Sequence, residues 1–582
     1  MNVKTIFSAI IKAVLCMGIA NAQFTPSTQR VSFTGKDKTI LDQHLGKYTA
    51  FSIDKRELTD SLYGNGGSGS FRLRVDDKLD WTIDLELNDL RTSIYRATYT
   101  TDKGTFELKE PFVVNTFKGK TSNGQIARFT IDENNFFGVI FGENYHYVIR
   151  PAKDYTQNWD DKSFIVYHSW DIIPNDDYFD YINDTFDISD DVKNINMLSS
   201  NDNTRSSCPN YFLTIATDAD FEFHQARGGT TNSSAEPTNN YILSILNIAE
   251  GVYESTEGVY ESTFGLRFRV NFQNVYTKNT QPYTSTTGDT LLFQFRNYWN
   301  SNHTFERNIA HLFTGKILNG GNTLGISYTG QLHNPWGASY GYGVSSHDAM
   351  LMAIVTHEIG HNLNAKHANN TLPSDCLCDD PNDPFGVRSS IMCPFMGSPQ
   401  SLWFCQQSIN EISSFLQLNR DELIGICGPN MVCLEGSSFE LVSAPVGTVT
   451  WVISSGPFSF SLTSNQTSKV GNPVTVYRSS TGTGNGMLKA IPSSPIADIY
   501  SLAITPCPIP VISGSSPICN GTPKSFSATN WIQGNYYWEA SNSLVSFSCS
   551  TCSTTNVSAT SSINKGTTSV YVKNNSGTVL AT

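Results

Sequence analysis

The chain has 582 residues, which is too long for one hydrophobic core and predicts about three to five domains. Its net charge is −13 at neutral pH and its basic residues are scattered, so the composition argues against a nucleic-acid partner. After the N-terminus, no stretch reaches the roughly eighteen apolar residues of a transmembrane helix. We therefore expect no membrane span in the mature protein.

The first 22 residues have the pattern of a signal peptide. Lys4 supplies a positive start, an apolar run extends from Ile6 to Ile19, and residues 20–22 read Ala-Asn-Ala, a small-residue cleavage site. The apolar run is too short for a membrane span. We expect residues 1–22 to be removed and the remaining chain to be secreted.

Residues 23–205 contain no cysteine and are predicted to be β-rich. Phe71, Leu73 and Val75 alternate with polar residues, and residues 126–131 and 136–141 predict two strands joined by a turn. The stretch 171–191 is rich in aspartate and predicts a solvated linker. The alternative is that it lies against a cleft and offers a carboxylate to a metal.

Beyond residue 206 the pattern changes to strands that alternate with helices. Residues 211–216, 266–272 and 324–329 predict strands, and residues 239–249, 290–299 and 408–418 predict helices. A seven-residue sequence occurs twice in tandem, at 250–256 and 257–263, which we interpret as a local duplication at a helix end or its loop. A further helix follows, with Ser345 or Ser346 as its predicted N-cap.

Two histidines on that helix form the first part of a candidate metal site. His357 and His361 are four residues apart, so both imidazoles lie on one helical face about one turn apart. Two nitrogens in this arrangement fit neighbouring corners of a zinc tetrahedron. Glu358 is offset from that face, where its carboxylate can take a proton from a metal-bound water. The alternative is a helix with two surface histidines and a glutamate.

The third histidine requires a turn in the chain. His367 follows His361 by six residues, too far for the same helical face. Asn364 lies between them, and asparagine tolerates the left-handed conformation better than most residues. A helix that ends near Leu363 with a left-handed residue after it would return His367 to the metal. The pattern therefore predicts one Zn²⁺ held by the three histidines.

The sequence HEIGHNLNAKH resembles the signature of the metzincin zinc proteases, H-E-x-x-H-x-x-G-x-x-H. Asn364 stands where the signature has glycine. Residues 389–394, which read Ser-Ser-Ile-Met-Cys-Pro, resemble the methionine turn of that family. The resemblance covers residues 206–430 and is nearest to the adamalysin or reprolysin (ADAM-like) branch, although Ala368 stands where that branch usually has aspartate.

The resemblance implies an α+β catalytic domain in which a twisted mixed sheet carries the active-site helix. It implies that Met392 packs beneath the metal ligands, and that residues 324–329 form the sheet edge that pairs with an extended substrate. Residues 23–205 resemble the adamalysin propeptide, which would make the chain a zymogen. Latency through a cysteine thiolate is excluded, because this region has no cysteine.

The cysteines are predicted to form disulfides. Of the twelve in the chain only Cys16 belongs to the signal segment, so an odd number remains, all from Cys208 onward. Export favours disulfides. Cys376 and Cys378 could suggest a second metal site, but partners at zinc-finger spacing are missing, so disulfides are preferred. No motif supports a calcium site.

From about residue 431 the charge drops, and serine, threonine, glycine and proline dominate. A weak repeat of about 86 residues relates Cys433, Gly436, Phe439 and Trp451 to Cys519, Gly521, Phe526 and Trp538. It predicts two β-sandwiches, residues 431–506 and 507–582, which resemble the immunoglobulin-like or PKD-like modules of secreted bacterial enzymes. They either bind a surface or a glycan or serve as spacers.

The sequence thus predicts a multidomain protein: a β-rich propeptide (23–205), an α+β metzincin catalytic domain (206–430) and two C-terminal β-sandwiches. The function expected is that of a secreted zinc metalloendopeptidase with Glu358 as general base and proteins or peptides as substrates. One alternative is a non-catalytic adhesion protein with a relic metal site. Another is a zinc hydrolase that cleaves a different bond, such as an amide in a cell-wall peptide.

Overall fold

The structure is a computed structural model that describes residues 24–581 with interruptions. Gaps of five residues or more fall at 156–161, 174–184, 187–209, 255–263, 334–338, 369–389, 395–401, 479–483, 531–535 and 561–565. The predicted signal peptide and the second copy of the tandem repeat lie outside the described residues. The chain divides into two compact units, one of residues 1–205 and 209–425 and the other of residues 206–208 and 426–582.

The N-terminal segment, which we define as residues 24–173, is built mainly of strands. They are β1 (Thr28–Arg30), β2 (Thr49–Ile53), β3 (Ser68–Arg74), β4 (Asp80–Leu87), β5 (Arg91–Thr101), β6 (Gly104–Glu107), β7 (Thr116–Thr121), β8 (Ile126–Ile131), β9 (Phe136–Phe141), β10 (His146–Pro151) and β11 (Ser163–His168). Nine of these form one sheet of antiparallel neighbours in the order β1-β2-β11-β10-β9-β8-β7-β4-β3. The expected β-rich character of this segment is confirmed.

Two helices accompany this sheet, α1 (Gly35–His44) and α2 (Lys55–Gly64). Helix α2 begins after Asp54, whose carboxylate accepts hydrogen bonds from the backbone nitrogens of Arg56 and Glu57 at 3.0 and 3.3 Å. Leu58 and Leu62 of α2 are buried in the same apolar cluster as alternate residues of the strands, such as Ile83 of β4. The alternation seen in the sequence thus directs one face of the sheet towards α2.

The second sheet of this unit packs against the helix that carries the His-Glu motif. Its strands from the later part of the chain are β12 (Thr185–Phe186), β13 (Asn210–Ala219), β14 (Leu266–Tyr276), β15 (Ile309–Thr314), β16 (Gly325–Tyr328) and β17 (Tyr342–Ser346). These strands follow the order β12-β16-β17-β15-β13-β14, and β14 is continued by β5 and β6, so the N-terminal segment contributes two strands to the sheet. Most neighbours are parallel, and the β16–β17 and β5–β6 pairs are antiparallel. The mixed sheet implied by the resemblance is present.

The helices that follow the N-terminal segment are α3 (Phe221–Ala226), α4 (Glu236–Glu254), α5 (Gly288–Asn302), α6 (Leu351–Asn362) and α7 (Gln406–Leu418). Short 3₁₀ turns span Ala152–Asp154, Ser169–Asp171 and Asn319–Gly321. Helix α6 packs against α4 and against strands β16 and β17. The His-Glu motif therefore lies between a helix and the edge of the mixed sheet.

One expectation about α6 was wrong. Ser345 and Ser346 do not cap this helix, since both belong to β17 and α6 begins at Leu351 after Met350. Their hydroxyls are used within the sheet: Ser345 contacts a ring nitrogen of His311 at 2.9 Å, and Ser346 donates to the carbonyl of Lys316 at 2.7 Å. The sequence signal failed because buried hydroxyls in a strand and capping hydroxyls have the same residue type.

The second unit consists of short strands. They are β18 (Ile424–Cys427), at the boundary with the first unit, then β19 (Met431–Val432), β20 (Ser437–Val442), β21 (Val449–Ser455), β22 (Phe458–Ser459), β23 (Ser468–Val470), β24 (Val474–Arg478), β25 (Gly486–Pro492), β26 (Tyr500–Pro506), β27 (Val511–Gly514), β28 (Lys524–Thr529), β29 (Tyr536–Ala540), β30 (Val545–Phe547), β31 (Thr554–Ala559), β32 (Val570–Asn574) and β33 (Val579–Ala581).

These strands fall into two successive groups of paired sheets. The first group contains β19-β26-β25-β21-β23 and β20-β24-β22, and the second contains β27-β28-β31-β30 and β29-β32-β33. Trp451 and Trp538, which the repeat relates, are both buried, and each indole nitrogen donates to a backbone carbonyl, of Gly471 at 2.9 Å and of Cys552 at 2.7 Å. Disulfides join Cys433 to Cys507 and Cys549 to Cys552. Among the described residues, no helix has the length and apolarity to cross a bilayer.

Candidate metal centre

Helix α6 carries two of the three histidines and is buried along its whole length. Its first five residues are all apolar (Leu351, Met352, Ala353, Ile354 and Val355), which is the pattern of a helix enclosed by protein. His357 and His361 follow on the same helix, and neither has measurable exposure. The helix therefore holds both imidazoles rigidly inside the domain.

The helix ends in a turn that returns the chain to the histidines. Asn364 has φ of 74°, in the left-handed region. Its backbone nitrogen donates to the carbonyl of His361 at 2.8 Å, and that of Ala365 donates to the carbonyl of Gly360 at 2.9 Å. This pair of hydrogen bonds is the Schellman motif, with Asn364 at the position after the C-cap. His367 lies three residues beyond this turn.

The structure brings the three imidazoles together. The Nε2 atom of His361 is 3.0 Å from Nε2 of His357 and 3.1 Å from Nε2 of His367. One donor atom from each ring lies within 4.8 Å of the others. Among the described residues, His357, His361 and His367 are the one group of at least three potential metal-ligating side chains that lie close together.

Backbone carbonyls select the tautomer of two of the rings. Nδ1 of His357 is 2.6 Å from the carbonyl oxygen of Ile391, and Nδ1 of His361 is 2.7 Å from that of Ala365. A carbonyl only accepts hydrogen bonds, so each Nδ1 carries the proton and each Nε2 presents its lone pair. Such carbonyl partners are the usual supports of metal-binding histidines.

This donor set fits zinc. Two Nε2 lone pairs at 3.0 Å repel each other unless a cation lies between them. In a tetrahedral zinc site with Zn–N bonds of about 2.0–2.1 Å, the nitrogens are separated by roughly 3.3 Å. The observed spacing is close to that value, so the three histidines have the chemistry and the spacing of a zinc site.

Glu358 lies beside the histidines with its carboxylate against strand β16. The Ser327 hydroxyl contacts Oε2 of Glu358 at 2.7 Å and the backbone carbonyl of Glu358 at 3.0 Å. A Cβ atom on Gly325 would lie 2.3 Å from Oε1 of Glu358, so only glycine leaves room for the carboxylate there. Glu358 itself is 1% exposed.

Met392 is packed against helix α6 at Gly360. It is fully buried, and its sulfur is 2.7 Å from the position that a Cβ atom on Gly360 would take. Its backbone carbonyl accepts a hydrogen bond from the nitrogen of Ala368 at 2.8 Å, next to His367. Its neighbour Ile391 supports His357, so this turn holds two of the three histidines in place.

Helix α4 supports the site from the other side. The Tyr253 hydroxyl donates to the carbonyl of Thr356 at 3.0 Å, one residue before His357. Burial raises the pKa of Tyr253 well above its ordinary value, and the nearby charge of Glu358 raises it further. Tyr253 therefore stays a neutral hydrogen-bond donor.

Sequence reasoning did not find Ser327, Gly325 or the two supporting carbonyls. Ser327 lies in the strand predicted at 324–329, but nothing in its local pattern indicates a contact with a helix 31 residues later. The carbonyls have no sequence signal, because every residue has one. Only the packing of β16 and of the Met392 turn against α6 defines these contacts.

The cysteines near the site are used in disulfides. Cys393, Cys405 and Cys427 are disulfide-bonded. Cys376 and Cys378 lie outside the described residues, so the preference for disulfides over a second metal site stays a prediction for that pair.

Comparison with known families identifies the domain that contains this site. Residues 209–401 match the family model described as metallo-peptidase family M12. This match supports a metallopeptidase domain in this part of the chain, and such a domain implies protein or peptide substrates. We refer to residues 209–425 as the metallopeptidase domain.

A solved structure is also similar to this chain. It is the crystal structure of metalloproteinase-II from Bacteroides fragilis, with 13% sequence identity and a TM-score of 0.37. The match covers 61% of this chain and 95% of that protein. At this TM-score the similarity carries no weight for the fold or the function.

Proposed function

We propose that the chain is a secreted zinc metalloendopeptidase of the metzincin type, with His357, His361 and His367 as zinc ligands and Glu358 as the general base. The observation that carries the proposal is the convergence of three imidazoles beside a buried carboxylate: Nε2 of His361 lies 3.0 Å from that of His357 and 3.1 Å from that of His367. A bound zinc ion would supply the Lewis acidity that activates water and polarises the scissile carbonyl.

The chain's own residues would position the substrate and move the proton. Strand β16 would pair with an extended peptide, since an exposed strand edge binds any backbone through its hydrogen bonds. Ser327 holds Oε2 of Glu358, so Oε1 would take the proton from the attacking water. The same oxygen would then pass that proton to the nitrogen of the leaving amine.

The test of this function is the Glu358→Ala variant. We expect it to bind zinc as the wild type does and to lose about 100- to 10,000-fold in kcat, the usual contribution of a general base. Metal analysis and cleavage of a casein substrate measure the two effects. The control is Glu236→Ala, which removes an exposed glutamate at the start of α4. Full activity of Glu358→Ala would reject this role for Glu358.

We infer that residues 23–205 act as a propeptide. The backbone of β12 supports this, because Thr185 and Phe186 pair with Ser327 and Tyr328 of β16. β12 thus occupies the strand edge at which an extended substrate would bind. We expect little activity in the uncut chain and a rise after cleavage between residues 187 and 209, measured on a short fluorogenic peptide that needs no exosite.

We also propose that residues 1–22 direct secretion and that the two C-terminal modules serve as spacers. The support is the sequence pattern of each region and, for the modules, their low charge and short strands. N-terminal sequencing of the exported protein would locate the first cleavage. Specific retention of residues 426–582 on glycan arrays or cell surfaces would contradict the spacer role.

A further inference from the structure

The N-terminal segment is joined to the metallopeptidase domain by a shared sheet. Strand β5 lies parallel to β14, with residues from Arg91 to Thr100 paired to residues from Val270 to Tyr276. Ala97 and Thr98 of β5 are buried there. The Thr98 hydroxyl donates to the Asn274 side chain at 2.8 Å, and the Tyr95 hydroxyl donates to that of Gln273 at 2.7 Å. Removal of β5 would expose the backbone edge of β14.

A buried ion cluster forms the second part of this interface. Arg128 of β8 has no exposed surface and pairs with two carboxylates of α4: Nη1 lies 3.1 Å from Glu250, and Nη2 bonds to Glu254. The Asn88 amide also donates to Glu250, at 2.6 Å. Burial alone would raise the pKa of Glu254, but the charges of Arg128, Lys118 and Arg267 outweigh burial and keep the pKa below its ordinary value. The carboxylates on α4 are thus matched to cations, and Arg128 and Lys118 belong to the N-terminal segment.

The shape of α4 is also adapted to this contact. Gly251 lies within the helix, and a Cβ atom there would be 2.6 Å from Cγ of Arg128 and 3.1 Å from a ring carbon of Phe141. One turn earlier, the Asn247 amide donates to the carbonyls of Phe117 and Phe129 at 3.1 and 3.2 Å. Glycine disfavours a helix interior, so its presence here is explained by the close approach of the N-terminal sheet.

The same helix reaches the metal centre. Two residues after Gly251, Tyr253 donates to the carbonyl of Thr356 beside His357. The helix that the N-terminal segment contacts is therefore the helix that supports the metal site.

We propose that this face of the metallopeptidase domain, formed by α4 and the edge of β14, is a permanent docking surface for the N-terminal segment. After the chain is cut between the two, residues 24–173 remain bound as a subunit that completes the sheet and neutralises Glu250 and Glu254. Only the segment around β12 has to leave for a substrate to reach β16. This inference rests on the proposed cutting of the chain between the two parts, but its test does not require peptidase activity.

The test uses the full chain with Glu358→Ala, so that its own activity plays no part, and with a site-specific protease sequence placed at residues 196–202. After complete cutting, size-exclusion chromatography and gel electrophoresis show whether the two pieces stay together. We expect them to co-elute in equal amounts at physiological salt. Separate elution of two folded pieces would overturn the proposal.

Substitution of Arg128 tests the ion cluster. In Arg128→Met the two glutamates of α4 lose a buried cation, and we expect the cut pieces to bind roughly tenfold or more weakly in a dilution series. The matched control is Arg72→Met, which removes an exposed arginine that pairs with Asp80 within the N-terminal sheet. Unchanged binding in Arg128→Met would contradict the role given to the cluster.

The Gly251→Ala substitution is expected to change stability in opposite directions, depending on whether the N-terminal segment leaves or stays bound after cutting. If the N-terminal segment leaves after cutting, alanine in an exposed helix stabilises the metallopeptidase piece, because alanine is the better helix former. If the segment stays, the added Cβ collides with Arg128 and both binding and thermal stability fall. Thermal unfolding of the cut protein distinguishes these outcomes even if Arg128→Met does not fold.

Discussion

The Glu358 carboxylate depends on a small residue and a hydroxyl in the neighbouring strand. Gly325 leaves the space that Oε1 occupies, and Ser327 holds Oε2 at 2.7 Å. A carboxylate that can rotate away from the attacking water would accept the proton of that water less often. At the scale of single residues, the proposed chemistry therefore rests on β16 as much as on the His-Glu motif.

We expect Ser327→Ala to lower kcat by roughly 10- to 100-fold, the usual effect of losing a support to a site residue, with little change in KM. Steady-state kinetics on the activated protein measure kcat and KM separately. Ser346→Ala is the matched control, since it removes a buried serine hydroxyl from the adjacent strand that bonds a backbone carbonyl instead. Equal losses of kcat in both variants would indicate a general packing effect.

Asp218 is a buried acid whose ionisation affects the stability of the folded protein. Burial raises its pKa to about 6, although hydrogen bonds from Tyr283 and Trp299 oppose the rise. Because the pKa is higher in the folded than in the unfolded protein, the stabilising contribution of the proton is fully present below about pH 3.8 and is lost as the pH rises through about 6.

We therefore expect Asp218→Asn to reduce the loss of stability between pH 4 and 6.5 by about 3 kcal/mol, which corresponds to a shift of about two pKa units. Asparagine keeps an oxygen that can accept from Tyr283 and Trp299 but does not ionise. Urea unfolding at several pH values measures the difference. A pH dependence identical to that of the wild type would show that Asp218 is not the group responsible.

At the scale of elements, the end of α6 decides whether three histidines can meet. Helix α6 ends in a Schellman turn in which Asn364 has φ of 74°. A non-glycine residue in this conformation is strained, and asparagine is among the least affected. The geometry needs the turn and does not need the glycine that the metzincin signature places there.

The turn can be tested with two substitutions at position 364. We expect Asn364→Gly to keep zinc and to change stability by about 1 kcal/mol or less, since glycine adopts φ above zero without strain. Asn364→Val should lose about 1–2 kcal/mol or more and bind zinc more weakly, because a β-branched residue resists the left-handed region. Metal analysis and thermal unfolding provide the readout. Equal zinc affinity in both variants would argue against a conformational role for Asn364.

Several elements could be predicted from periodicity, and others could not. The strands at 266–272 and 324–329 and the helix at 408–418 were expected from their apolar spacing and appear as β14, β16 and α7. Strand β17 was missed because its residues, Tyr-Gly-Val-Ser-Ser, do not alternate. It is buried on both faces, and burial there follows from its neighbours rather than from its own pattern.

At the scale of the whole molecule, a bound metal should stabilise the first unit. A ligand that binds only the folded state stabilises it by about 4 kcal/mol at a thousand times its Kd. We expect a chelator to abolish peptidase activity and lower the Tm of the first unit, and zinc to restore both. The second unit has no cluster of metal donors among its described residues, so its transition should not move. Differential scanning calorimetry with and without chelator separates the two units.

The residue types and spacing of the metal motif follow from the sequence alone, since a helix fixes the relation of His357 to His361 and asparagine permits the turn before His367. The β-rich N-terminal segment and the repeated C-terminal strands were likewise visible as local alternation. Only the tertiary structure decided that β5 of the N-terminal segment joins the metallopeptidase sheet, that Arg128 pairs with the glutamates of α4, and that Ser327 meets Glu358. These contacts bring together residues that are distant in the chain, and local conformational preference carries no information about such partners.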